Sequence, residues 1–271
     1  MISVVMIVKN GESKLREVLD SLSCFDEIIL YDTGSTDATL TIASNYPNVK
    51  IHHGTMEGGF GAVRNRATAL TKHPFVLHID ADEVVSNELQ KELLQLPLKK
   101  DTVYTLPIKN FYNGKWIRGC GWYPNRVRRL YAKEITKFSD LAVHEGVIVK
   151  GPLIDLKGHI HHYSYNSIHD FLRKMQHYSD LFATQNAGRK NSSLFKALFR
   201  GYFAFFRSYI LRYGFIDSKE GLIISLYNAH TTYYKYLKLA EANGQRCACG
   251  QKKKGSCGAL QQLPTDNPKS P

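Results

Sequence analysis

Apolar and polar positions change period in blocks along the first hundred or so residues of the chain. Ile2–Val8 is a nearly continuous apolar run, which predicts a buried strand. After Ser13, Leu15, Val18, Leu19 and Leu22 recur at helical spacing. Glu27 to Tyr31 predicts a second strand, the stretch towards Asn45 a helix, and Val49 to His52 a third strand. A helix from Ala62 to about Thr71 leads into Pro74 to Ile79, a short apolar strand bounded by a proline and an acidic turn. This alternation predicts an α/β fold with a mostly parallel sheet and right-handed crossovers. Ligands of such sheets gather at the carboxyl ends of the strands, and the polar motifs of this chain all fall at those ends.

The acidic turn, Asp80-Ala81-Asp82-Glu83, carries three carboxylates in four positions. Such groups repel one another unless a cation sits between them, and a hard divalent ion held by oxygen is the natural candidate. The alternative is a turn that caps the helix after Ser86. Asp32-Thr33-Gly34-Ser35-Thr36-Asp37 offers a tight turn at Gly34 and capping oxygens for the next helix, whose free amides favour an anion. Asp32, at a strand tip, can accept hydrogen bonds from a base or ribose. Gly58 to Gly61 then place flexible backbone before a helix bearing Arg64 and Arg66. Arginines near a helix start oppose its dipole; binding a diphosphate explains them, and so does simple solvation.

Composition narrows the class. At 271 residues, 43% hydrophobic and 22% charged, the chain suits one main globular domain with an appended segment. A net charge of +12 implies anionic company: nucleotide phosphates, nucleic acid or an acidic membrane. The first strand carries no basic leader or small-residue cleavage site, so no secretory signal is expected. Five cysteines, odd in number and unframed, suit a reducing cytoplasm.

Val5 to Glu12, Asp32 to Asp37, Ala62 to Asn65 and Asp80 to Asp82 together resemble glycosyltransferase family 2, an inverting family, over roughly residues 1 to 165. The resemblance implies a GT-A fold, a Rossmann-like sheet flanked by helices, here with a C-terminal helical extension. It also implies a UDP-sugar donor and a Mg or Mn ion. The donor-binding set carried over is Val8, Asn10, Glu12, Asp32, Ser35, Arg64, Asp80 and Ala81. Within it Asp32 would read the uracil or ribose, and Arg64 would lie near the diphosphate. Asp82 is the expected direct metal ligand, with Asp80 second and nearer the ribose. Tyr31 to Asp37, Val143-His144-Glu145 and His161 to Tyr165 further resemble a bacterial subgroup of β-glucosyltransferases of the lipopolysaccharide inner core. That implies glucose moved to a lipid-linked glycan acceptor. The Gln-x-x-Arg-Trp element and transmembrane segments of processive synthases in the family are missing, so transfer of one sugar is expected.

Inverting displacement needs a base for the acceptor hydroxyl. Downstream of the acidic turn the candidates are Asp140, His144, Glu145 and Asp155. Glu145 is the expected base, because an apolar run precedes it and Gly146 follows it. Asp140 is its alternative, and His144 would orient the base or touch phosphate. Between the acidic turn and Glu145 lies a basic, aromatic stretch from Lys109 to Arg129, whose Phe111, Tyr112, Trp116, Trp122 and Tyr123 suit stacking on sugar faces. The alternative is a solvated strand-loop-strand with Trp116 and Trp122 in the core, and Arg128 and Arg129 read as solvated. One of His159, His161 and His162 can reach the metal or the diphosphate; their spacing matches no compact zinc site.

After about residue 166 the composition shifts. Lys196, Arg200 and Arg207 fall within roughly 40° of one another on a helix, among aromatics and leucines. Residues 166–242 therefore read as a helical membrane-proximal extension, lying in the interface of an anionic membrane rather than spanning it. A buried helical cap is the alternative. Residues 243–271, with Cys247, Cys249 and Cys257, read as a disordered tail. The expected location is cytoplasmic, peripheral on the inner face of the cytoplasmic membrane. Two rival functions remain: a sugar nucleotidyltransferase, and a basic nucleic-acid-binding protein. The first lacks a glycine-rich, lysine-bearing signature near the first strand. The second would have its polyanion repelled by the acidic turn, and nucleic acid is not an expected partner.

Overall fold

Parallel neighbours on both sides keep β1 (Ile2–Val8) buried at six of its seven positions, which is why it reads as a continuous apolar run. The computed structural model describes residues 1–139 and 146–252, with side chains as far as 245. β2 (Ile28–Asp32) and β3 (Val49–His53) extend the parallel sheet on one side of β1, and β4 (Phe75–His78) lies on the other. The helices α1 (Glu12–Asp20), α2 (Thr39–Ala43) and α3 (Gly59–Ala69) make the crossovers. α1 buries Leu15, Val18 and Leu19, the apolar stripe that marks it in the sequence. One sheet face packs Leu15, Leu19, Leu30 and Leu77, and the other packs Val5, Ile29, Val63 and Tyr131.

Beyond β4 the sheet is no longer parallel throughout. After β5 (Glu83–Val85) comes α4 (Asn87–Gln95), capped by Ser86, whose hydroxyl accepts the Leu89 amide at 3.2 Å. β6 (Val103–Tyr112) is followed by the short β7 (Lys115–Trp116) and then by β8 (Asn125–Ala132), which enters antiparallel between β4 and β6. β9 (Leu153–Asp155) and β10 (Ile160–Tyr165) both run parallel to β6. β5 closes the path antiparallel to β10, giving the order β3-β2-β1-β4-β8-β6-β10-β5. The parallel half is as the sequence predicts. The mixed half depends on pairings distant in sequence.

The chain forms two compact units, Met1–Asp170 with Ser208–Ile224, and Phe171–Arg207 with the chain from Ser225 onward. In the first, the inserted segment is held by Asp217, 1% exposed, which accepts the Gly119 amide at 2.6 Å and the Arg118 amide at 3.1 Å. The second draws on α5 (Ile168–Asn186), α6 (Leu194–Phe206) and α7 (Ser218–Lys252). There Lys238 of α7 bonds Asp180 of α5 at 2.6 Å, and Asn243 donates to the Lys190 carbonyl at 2.9 Å. α7 runs through Asn243 to Lys252, so the stretch read as a tail begins as helix.

Candidate active site

β1, β2 and β4 end side by side, and the polar motifs meet there. Val8 pairs with Asp32, and its carbonyl accepts the Thr33 amide at 2.9 Å. Asn10, at φ 55°, accepts the Thr36 amide at 2.8 Å, and its own amide donates to the Ser35 hydroxyl at 3.0 Å. Glu12 accepts the Ala38 amide at 2.9 Å and donates its own amide to Asp37 at 3.2 Å. Asn10, Glu12 and Ser35 thus hold residues 33–38 against the end of β1. A Cβ on Gly11 would stand 2.8 Å from Val8 and 3.4 Å from the Ala81 Cβ, so glycine lets the acidic turn lie against that end.

Asp32 is 3% exposed and accepts the Ser35 amide at 3.0 Å and the Gly34 amide at 3.1 Å. Burial pushes its carboxyl up, but these bonds and nearby His53 outweigh it and hold Asp32 below its usual value. Its charge organises the turn from beneath.

The acidic turn contains its own counter-charges. Asp80 accepts Arg64 Nη2 at 2.7 Å on one oxygen and Arg129 Nη2 at 2.8 Å on the other. The same Arg129 nitrogen donates to Glu83 at 3.1 Å, and the second Glu83 oxygen accepts the Asp80 amide at 2.8 Å. Burial raises both carboxyls. At Asp80 the two arginines prevail and hold it well below the carboxylate range, whereas enclosed Glu83 is raised. Clustered carboxylates do need a cation, and for two of the three the chain supplies it. Arg129 is therefore not the solvated residue expected; its side chain is only 12% exposed. On β8 the charged positions mostly face out, which hides the one that points into the site.

Asp82 pairs with a histidine instead. Its side chain is 45% exposed, and His162 Nε2 lies 3.3 Å from it. β10 sets His162 opposite Glu83 in the ladder, and the Tyr163 amide donates to the Asp82 carbonyl at 3.1 Å. Asn110 and Ser164 hold the other ring nitrogen at 3.0 and 2.9 Å. Burial lowers the imidazole, but the bond to Asp82 and the neighbouring carboxylates raise it on balance. Of the three histidines the sequence left open, this one reaches the acidic turn. Among the described residues no group of three or more His, Cys, Asp or Glu side chains could hold a metal. Asp82 with His162 still fits a hard ion that takes one or two protein donors and completes its shell with phosphate and water. Asp80, expected as second ligand, has both oxygens bonded to arginine.

Asp140, His144 and Glu145 lie outside the described residues, but both ends of their segment are placed. The Ser139 amide donates to the Gly146 carbonyl at 2.9 Å, and Phe138 bridges Val147. Asn65 bonds both backbone groups of Phe138, at 2.9 and 3.0 Å. Arg64 lies over the Phe138 ring at 5.2 Å, so the stem of the segment and Asp80 share one arginine. The role of Asn65 was not legible in the sequence, although it adjoins Arg64. Asp155, the other candidate base, pairs with Arg126 at 3.1 Å on β9, opposite Thr105 rather than Asn110, and so away from Asp82. Beside Asp82, Tyr163 stacks on Phe111 at 4.9 Å, with Lys14 above it at 4.6 Å. Aromatic faces of this kind suit sugars.

The family model described as "Glycosyl transferase family 2" matches residues 3–147. An uncharacterized glycosyltransferase of Rickettsia typhi is 27% identical over 256 residues, covering 89% of this chain and 87% of its own. "Lipopolysaccharide core biosynthesis glycosyltransferase LpsC" of Rhizobium meliloti is 24% identical over 262 residues, 89% of this chain and 95% of its own. The crystal structure of S. aureus TarS 1–349 in complex with UDP-GlcNAc aligns with a TM-score of 0.47 at 17% identity, over 98% of each chain.

Proposed function

Because the chain belongs to glycosyltransferase family 2, and so is a glycosyltransferase on a GT-A fold, we propose that it moves one glucose from UDP-glucose to a lipid-linked glycan of the lipopolysaccharide core or a related glycan. The observation that carries this reading is Asp82. It is the carboxylate of the acidic turn not bonded to arginine, half exposed and facing His162 at the ends of the parallel strands.

The nucleoside would rest on the turn that Asp32 organises, among Val8, Asn10, Glu12 and Ser35, with Asp80 and Ala81 towards the ribose. Arg64 keeps Asp80 charged and lends positive charge to the diphosphate side. Asp82 and His162 would hold a Mg or Mn ion, which when bound neutralises charge on the diphosphate. The acceptor hydroxyl attacks the anomeric carbon as its proton passes to Glu145, with Asp140 the alternative base and His144 beside it. The bond to the diphosphate breaks, UDP leaves and the configuration inverts. Tyr163 and Phe111 offer the acceptor sugar a stacking face. With a lipid-linked acceptor, the enzyme would work as a peripheral protein on the inner face of the cytoplasmic membrane. No described helix is long and apolar enough to cross it.

The test is a thermal-shift panel of UDP-glucose, UDP-galactose and UDP-N-acetylglucosamine with and without Mn²⁺, followed by product analysis. UDP-glucose should give the largest metal-dependent stabilisation, since a ligand that binds only the native state raises stability by mass action. Turnover should release UDP; release of pyrophosphate would make the chain a nucleotidyltransferase. Glu145→Gln should keep the shift and lose about 10²–10⁴-fold in rate. If that variant turns over normally while Asp140→Asn is inactive, Asp140 is the base.

A further inference from the structure

α6 turns aromatic rings away from its own unit. Its buried seam is Ala197 and Gly201, with a Cβ on Gly201 only 3.1 Å from Tyr233 and 3.3 Å from the Ala229 carbonyl of α7. At about 100° per residue the opposite side carries Phe195, Phe199, Tyr202 and Phe206. These are 81%, 60%, 71% and 40% exposed. A helix covering a water-soluble core has the reverse order, with polar residues outward. An exposed apolar patch of this kind marks an interaction surface.

Charge decides what the surface meets. Between Asp180 and Asp217 there is no acidic residue and six basic ones: Arg189, Lys190, Lys196, Arg200, Arg207 and Arg212. Lys196, Arg200 and Arg207 fall together along one flank of the aromatic ridge. Lys196 and Arg200 are steadied over the Tyr236 ring at 5.8 and 5.4 Å, and Arg200 and Arg207 are exposed. Aromatic rings bordered by cations with no anion among them complement a bilayer whose phosphates lie just above its acyl chains. A second copy of this surface would bring cations against cations.

We infer that α6 lies in the plane of an anionic membrane, with its ring face at the acyl boundary and Lys196, Arg200 and Arg207 at the lipid phosphates. This goes beyond the sugar-transfer reading by naming the surface, and it holds or fails independently of donor and acceptor.

The test is co-sedimentation of the full chain with phosphatidylcholine vesicles, with and without phosphatidylglycerol, at low and high salt. The protein should sediment with the anionic vesicles and be released by salt. Arg200→Gln with Arg207→Gln should lower the partition coefficient about 30-fold, about fivefold per cation at about 1 kcal/mol each. Phe195→Ser with Phe199→Ser should weaken binding to the anionic vesicles at low salt and leave the melting temperature unchanged, because those rings are exposed. Absence of vesicle binding, or equal salt-indifferent binding to neutral and anionic vesicles, would overturn the inference. So would a solution dimer that the two serine substitutions dissociate in a protein indifferent to vesicles.

Discussion

Arg129 of β8 and Asp82 meet at the same acidic turn and should fail in opposite ways. Arg129 is the direct counter-charge of buried Glu83 and one of two on Asp80. Arg129→Leu leaves Glu83 enclosed without its counter-charge, and removing one member of a buried pair costs about 3–5 kcal/mol. Urea unfolding should show that loss. Asp82→Asn removes a half-exposed charge and should change stability little, yet abolish the Mn²⁺-dependent part of the UDP-glucose thermal shift together with turnover. A variant that keeps both would remove Asp82 from the metal. His78 gives a pH-dependent prediction. It is fully buried beside Tyr131 and Phe138, its Nδ1 has no partner, and burial, with Arg64 and Arg129 adding to it, pushes its pKa well down. The unfolded histidine titrates near about 6.5, so below that pH the unfolded state binds the extra proton. The stability tied to neutral His78 is therefore full above that pH and lost as pH falls through it. Between pH 7.5 and pH 5, His78→Phe should lose less stability than the parent chain, measured by denaturant unfolding.

At the scale of elements, β1, β2 and β4 were legible because each is buried between neighbours and so carries an apolar run, whereas β3, at the sheet edge, shows only the alternation of Val49 and Ile51 with polar residues. β1 is the clearest case, and β2, β3 and β4 fall within a residue or two of their expected bounds. The mixed half was not legible, because β8 and β10 take their places by pairing with strands far away in sequence. That is also why Arg129 read as solvated, and why the sequence left His162 level with His159 and His161. α7 was legible only as part of a helical extension ending at residue 242, since its polar and aromatic residues show no single stripe to mark its bounds. α3 matters beyond packing. Through Asn65 it fixes Phe138, one residue short of Ser139, where the description stops before the segment with Glu145. Asn65→Ala breaks both bonds and should cost about 1–3 kcal/mol, with turnover falling while the donor-induced thermal shift survives. Asn65→Asp keeps the bond from the Phe138 amide and should fall between the two. Equal turnover in all three proteins would detach the stem from catalysis.

At the scale of the molecule, the sheet unit takes in a segment that lies between two stretches of the helical unit. A composition shift near residue 166 cannot reveal such a return, because residues 208–224, with Tyr209, Tyr213 and Phe215, carry on the aromatic and apolar character of those before them. What returns them is one carboxylate. Asp217 accepts the amides of Arg118 and Gly119, and Lys115 bonds both the Asp217 carbonyl and Glu220 at 2.8 Å. Gly119 is required there, since a Cβ would stand 2.3 Å from the Tyr213 carbonyl. Hydrogen bonds to a charged acceptor contribute about 1.5–3 kcal/mol each, and the two amides left unpaired by Asp217→Ala are close to or within the buried region. The variant should therefore be destabilised by about 3 kcal/mol or more, and a chain ending at residue 170 should unfold at a lower temperature than the full chain. Asp217→Asn retains one acceptor oxygen and should recover part of the loss. Melting curves followed by circular dichroism compare the four. If Asp217→Ala melts with the parent, the returning segment rests on the sheet unit without holding it together, and Lys115 with Glu220 is then the pair to break next.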